Sequence, residues 1–120
     1  MAKVIFIIIL FCSYCFFSVW VFSSGTEKKS PVLTLQMAEG KKIWQEKNCI
    51  SCHQLYGLGG YLGPDLTNIM SDEKRGKSYA EAFLRSGGPT MPNFKLTDAE
   101  VNAVLDYLAY VDASTKPAAK

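Results

Sequence analysis

Residues 4–22, VIFIIILFCSYCFFSVWVF, contain no charge, glycine or proline, and 17 of these 19 side chains are hydrophobic. Residues 25–120 are 41% hydrophobic, so this run stands apart from the rest. As a helix it would be about 28 Å long at ~1.5 Å per residue, close to the ~30 Å hydrocarbon thickness of a bilayer. A cleaved signal peptide with Lys3 as its basic region is the competing reading. The run is longer than the ~7–15 residues of an ordinary signal core, although the small residues Ser23, Ser24 and Gly25 offer a cleavage point. An uncleaved single transmembrane anchor over residues 1–24 is the expectation, with Trp20 at the interface. Charge marks its orientation poorly, because Lys3 lies on one flank and Lys28 and Lys29 on the other. Cys12 and Cys15 share one face of this helix and read as small apolar residues in lipid.

The rest divides into a linker over 25–34, a domain over 35–113 and a tail over 114–120 that contains Pro117. Thirteen basic residues face 11 acidic ones, without the basic patch that phosphate neutralisation requires, which argues against a nucleic-acid partner. Thr34 reads as the N-cap of a helix whose apolar stripe includes Leu35, Ala38 and Trp44. Ser78-Tyr79-Ala80-Glu81 reads as a capping box that opens a short helix, which Gly87 and Gly88 end. Thr97-Asp98-Ala99-Glu100 reads as a second box, followed by Val101, Val104, Leu105, Leu108 and Val111 at helical spacing. No strand, hairpin or repeat is evident. An all-α domain follows, with a glycine-rich middle between Asn48 and Lys77 that is short of packing side chains. Something other than side chains is expected to fill its core.

Cys49-Ile50-Ser51-Cys52-His53 supplies the candidate. C-x-x-C-H is the attachment motif of c-type haem. The two thiols add across the porphyrin vinyl groups, and the adjacent His reaches the iron. A structural zinc wants four ligands, but His53 is the only His and the other two cysteines lie in the apolar run. A thioredoxin-type pair wants a βαβ context, which is absent. One covalently bound haem c is therefore expected, with Cys49 and Cys52 as thioethers and His53 as the proximal ligand. With a single His in the chain, the distal ligand is a methionine or the site stays open. Met91 sits between glycines and prolines in GGPTMPNF and is the candidate, with Met70 in reserve. Ligation by His and Met closes both axial positions, which favours electron transfer over gas binding or peroxidase chemistry. Pro64 either supports His53 through its carbonyl or forms a simple bend. Tyr61 is a candidate contact to a haem propionate or a core residue. The glycines between 57 and 63 are expected to pack against the porphyrin. Lys41, Lys42 and Lys47 read as a solvated helix face, with docking of acidic donors as the alternative.

At these residues the sequence resembles a class I cytochrome c over about 35–112. Gly40 and Trp44 match the small and aromatic positions of that family's N-terminal helix, and Val104 and Tyr107 those of its C-terminal helix. Cys49, Cys52 and His53 match the haem motif, Pro64 the proline that supports the His, and Met91 the distal ligand. The stretch CHQLYGLGGYLGPDLT, the MPNF segment and the LTDAE helix start resemble, more narrowly, the membrane-anchored cytochrome c subunits of bacterial nitric oxide reductases. That resemblance implies an electron-transfer subunit, not an enzyme by itself. It would take electrons from a soluble cytochrome c or cupredoxin and pass them to a membrane haem b catalytic subunit that turns two NO into N₂O. It also implies a single-pass protein of the bacterial inner membrane, with its haem domain on the periplasmic or outer face. The chain is shorter than that pattern between anchor and haem domain and ahead of Met91. A stand-alone tethered carrier, or a donor to an oxygen-reducing oxidase, is the alternative.

Overall fold

The computed structural model describes residues 1–25 and 32–115. Lys28, Lys29 and most of the expected linker lie outside the described residues, as does Pro117 in the tail. The chain divides into two compact units, Met1–Ser30 and Pro31–Lys120.

The described residues of the first unit form one helix, α1 (Ala2–Gly25), long and apolar enough to cross a membrane. Nearly all its side chains are exposed, including Cys12 and Cys15. Ser23 donates its hydroxyl back to the Val19 carbonyl at 2.8 Å, which satisfies that polar group within the helix.

The second unit is a helical domain built from α2 (Leu35–Glu46), α3 (Gly76–Ser86) and α4 (Asp98–Thr115), with two 3₁₀ turns at Cys49–Ser51 and Ile69–Ser71. Thr34 caps α2 as expected, accepting the Met37 N–H at 3.3 Å. The buried face of α2 is Gly40, Ile43 and Trp44. Leu35 does not belong to it and is 92% exposed. Five residues separate Leu35 from Gly40, which turns it about 140° around the helix from the crossing point.

Helix α4 supplies most of the core. Val101, Val104, Leu105, Leu108 and Val111 are all buried, as their spacing requires. The Glu100 carboxylate accepts the Thr97 N–H at 2.7 Å, and the Thr97 hydroxyl accepts the Glu100 N–H at 3.3 Å, so this capping box forms. The box expected at Ser78 does not. Asp72 accepts the backbone N–H groups of Lys74 and Arg75, both at 3.0 Å, and α3 begins two residues before Ser78, at Gly76. Glu81 turns instead to Arg85, 2.9 Å away.

A minimal hairpin joins β1 (Gln54–Leu55) to β2 (Leu58–Gly59). Its loop is Tyr56-Gly57, with φ of 55° and 75°, the pair of left-handed residues that a type I′ turn uses. Strands of two residues are too short to show an alternating pattern, which is why the sequence does not announce them.

Helices α2 and α4 cross where Gly40 meets Ala103. A Cβ on Gly40 would sit 1.9 Å from the Ala103 carbonyl oxygen, so only hydrogen fits there. Trp44 and Tyr107 pack beside the crossing with ring centroids 6.3 Å apart.

Candidate functional site

Between α2, the 3₁₀ turns, α3 and α4 lies a cavity of about 400 Å³. Its walls are mainly apolar, with Ile43, Trp44, Ile69, Leu84, Val104 and Leu108 among them. Cys49, Cys52, His53, Pro64 and Met91 all line this one space. The glycine-rich middle does leave a hollow centre, enclosed by side chains drawn from every helix of the domain.

The motif is placed by the way α2 ends. Asn48 takes a left-handed conformation, φ 52°, and the chain turns into the 3₁₀ segment that carries Cys49. The Cys49 carbonyl accepts the N–H groups of Cys52 at 3.2 Å and His53 at 3.0 Å, which gathers the three motif side chains on one short turn. Burial pushes the Cys49 thiol above its ordinary pKa; the chain's own backbone hydrogen bond and Lys47 act in the opposite direction.

His53 is oriented from two sides. Its Nδ1 lies 2.9 Å from the Pro64 carbonyl oxygen and donates to it, since a carbonyl only accepts. This hydrogen bond fixes the tautomer and leaves Nε2 with its lone pair free for a metal. Gly63 packs flat on the same ring: a Cβ there would lie 2.4 Å from Cε1. The peptide that carries Pro64 is anchored in turn. The Gly63 N–H donates to the Cys52 carbonyl at 2.8 Å, and the Leu66 N–H to the Gln54 carbonyl at 3.0 Å. Asp65 accepts both the N–H and the hydroxyl of Thr67, at 2.7 and 2.5 Å. Of the two readings of Pro64, the geometry has the carbonyl aimed at the imidazole.

Met91 reaches the cavity from the loop between α3 and α4. Gly87, at φ 73°, ends α3, and the Gly88 N–H donates to the Met91 carbonyl at 2.8 Å. Met70, the reserve candidate, packs against the core and does not line this cavity. Tyr61 is also outside the lining and 85% exposed, so the structure does not bring it to the cavity wall. Most of the glycine run packs elsewhere than expected. Gly59 and Gly60 press on the carbonyls of His53 and Ser51, the motif's own backbone, and only Gly63 reaches the cavity.

Several wall residues do not stand out in the sequence. Tyr79 and Phe83, one turn apart on α3, stack with centroids 4.7 Å apart and both line the cavity, as does Phe94. The i, i+4 aromatic spacing of the first two is the signal that could have found them. Trp44 lines the cavity too, with its ring 6.4 Å from that of His53. Lys42 is paired on its own helix with Glu39 and Glu46, at 3.6 and 3.9 Å, so this face carries mixed charge.

Among the described residues no three His, Cys, Asp or Glu side chains converge on one point. The potential ligands are instead distributed around an apolar space. That pattern fits a large flat apolar group with a metal at its centre: two thiols on one turn, an imidazole with a free Nε2, and a thioether from a separate loop.

Comparison with known proteins agrees. The family model of cytochrome c matches residues 37–112, the stretch that encloses the cavity. The C subunit of the nitric oxide reductase of Paracoccus denitrificans is 36% identical over 90 residues, which covers 65% of this chain and 60% of that protein. Its counterpart in Cereibacter sphaeroides is 30% identical over 95 residues, or 69% of this chain and 65% of that one. The chain thus spans somewhat under two thirds of these relatives' length. A more distant relative, cytochrome c oxidase subunit 2 of Alkalihalophilus pseudofirmus, is 27% identical over 104 residues, covering 77% of this chain and 30% of that protein. With its cavity, its C-x-x-C-H turn and a family match over more than half its length, this chain belongs to the cytochrome c family.

Proposed function

We propose that this chain is a membrane-anchored monohaem c-type cytochrome that passes electrons to a haem b partner in a nitric oxide reductase-like complex. In this reading Cys49 and Cys52 hold one haem through thioether bonds, His53 is its proximal ligand and Met91 its distal one. Pro64 keeps the imidazole in place. The observation that carries the proposal is the single cavity that collects all five residues, with the His53 Nδ1 already committed to Pro64.

Haem c, when bound, supplies one-electron chemistry at its iron. The residues of this chain do the rest. His53 and Met91 would both hold its iron, which would leave no place there for a substrate. The apolar wall from Ile43 to Leu108 excludes water, and the thioether of Met91 favours the reduced state. The hydrogen bond from His53 Nδ1 to the Pro64 carbonyl would hold the imidazole in place whatever the oxidation state of the bound group.

The nitric oxide reductase relatives support the assignment of the complex. A soluble cytochrome c or cupredoxin is the proposed donor. Helix α1 is the proposed anchor, in contact with lipid, in the bacterial inner membrane. The haem domain would face the periplasm or its equivalent, where c-type haem is attached. The oxidase relative favours a second reading, in which the partner reduces oxygen.

Purification of the native protein in mild detergent tests both. A companion protein with a b-type band in the reduced-minus-oxidised spectrum and NO consumption is the expected result. Oxygen consumption without NO consumption selects the second reading. A lone c-type band assigns the chain to stand-alone electron carriage.

A further inference from the structure

The loop that carries Met91 has few ties to the rest of the domain. Among the described residues, no hydrogen bond from residues 88–96 leaves that segment: Gly88 donates to Met91, and Lys95 to the side chain of Asn93. Met91 and Leu96 pack against the core, and Phe94 faces the cavity. The polar connection lies at the two ends. Arg85, in the last turn of α3, donates through Nε to Glu81 at 2.9 Å and through Nη1 to Asp98, the first residue of α4. One guanidinium thus closes residues 87–97 into a ring, using both arms of its fork.

We propose that Arg85 is a positioning residue for the distal ligand: by holding α3 to the start of α4 it keeps the Met91 loop closed over the cavity and small gaseous ligands away from the metal. This rests on the reading of Met91 as that ligand. The pair is exposed, with side-chain accessibilities of 43% for Arg85 and 84% for Asp98, so its effect belongs in local opening of the loop and not in global stability. The loop ends need to separate only slightly for a thioether to leave. A lost exposed ion pair changes such an equilibrium by about two- to fivefold. Lys in place of Arg keeps the charge but not the fork, so it restores only part of the closure.

The test uses the full haem-loaded chain in detergent. Its readouts are the rate of CO binding to the ferrous protein, the thioether-to-ferric-iron charge-transfer band, and hydrogen exchange of peptides covering residues 87–97. Arg85→Gln and Asp98→Asn should each raise the CO rate and the exchange rate of the loop by about two- to fivefold. The double variant should do no more than Arg85→Gln alone, because Asp98→Asn removes only a contact that the loss of Arg85 has already removed. Arg85→Lys should fall between Arg85→Gln and the parent. Equal exchange in parent and variants, or full additivity of the two single changes, overturns the proposal. So does equal acceleration of exchange in α2 and α4, which would make the clamp a global contribution. If the parent itself binds CO freely and lacks the charge-transfer band, the Met91 reading fails, and the exchange of residues 87–97 still decides whether Arg85 closes the loop.

Discussion

The imidazole of His53 has almost no freedom. The Pro64 carbonyl accepts its Nδ1–H, Gly63 covers its face and Trp44 stands 6.4 Å away. Gly63→Ala places a methyl group 2.4 Å from Cε1, and the ring must tilt or the Pro64 peptide must move. Overpacking of this kind costs about 1–3 kcal/mol. Here the cost falls on ligand geometry, so a severalfold lower yield of haem-loaded protein and a weakened low-spin spectrum are expected, read against the helix content by circular dichroism. On the other side of the cavity, Met91→Ala should leave the proximal half intact and open the distal one. The ferrous variant should bind CO at neutral pH where the parent does not, and the reduction potential should fall with loss of the thioether. If the variant and the parent bind CO equally, Met91 is not the ligand.

At the level of elements, the α2–α4 crossing is the point where sequence and fold constrain each other most. A Cβ at position 40 would meet a backbone carbonyl at 1.9 Å, and the main chain of α4 cannot step aside as a side chain can. Gly40→Ala should therefore lower the melting temperature by at least about 5 °C, at the ~4–8 °C per kcal/mol expected of a small domain. The helix starts respond to acid. The Glu100 carboxyl is held below its ordinary value of 4.5, first by the Thr97 backbone N–H and then by the Thr97 hydroxyl. Asp72 is likewise lowered, chiefly by the Arg75 guanidinium. A depressed native pKa means that the unfolded chain binds the proton more readily, so both contributions are complete above the ordinary carboxylate value and disappear as pH falls through the lower native one. Melting curves below pH 4.5 should show the loss, and Glu100→Gln should flatten its share of that acid limb.

Helix α4 and its capping box were legible because a long amphipathic run and its cap are encoded locally. The start of α3 was not, since Asp72 turns the chain by accepting the Lys74 and Arg75 N–H groups, and the helix is under way at Gly76 before Ser78 is reached. Likewise the spacing of the C-x-x-C-H motif already puts Cys49, Cys52 and His53 on one short turn, whereas the exposure of Tyr61 and the turn of Gly59 and Gly60 onto the motif's backbone depend on a hairpin of four paired residues.

In the whole molecule an apolar helix and a cytochrome c domain make separate contributions. The core of the domain runs from Ile43 to Val111 and includes no residue of α1. Removing residues 1–25 should therefore leave the absorption spectrum and melting temperature of the domain unchanged. The reaction with the proposed partner is another matter. Anchoring a docking module beside its partner raises its local concentration to the order of millimolar, and losing the anchor turns an intramolecular encounter into a diffusional one. With the proposed anchor intact, electron delivery to the partner should not depend on the bulk concentration of this chain. Without residues 1–25 it should become concentration-dependent, and recover the parental rate only near the millimolar range. Steady-state turnover of the reconstituted complex, measured against added soluble domain, separates the two. Full turnover at micromolar domain would mean that docking contacts alone hold the partners together, and that α1 serves some purpose other than proximity.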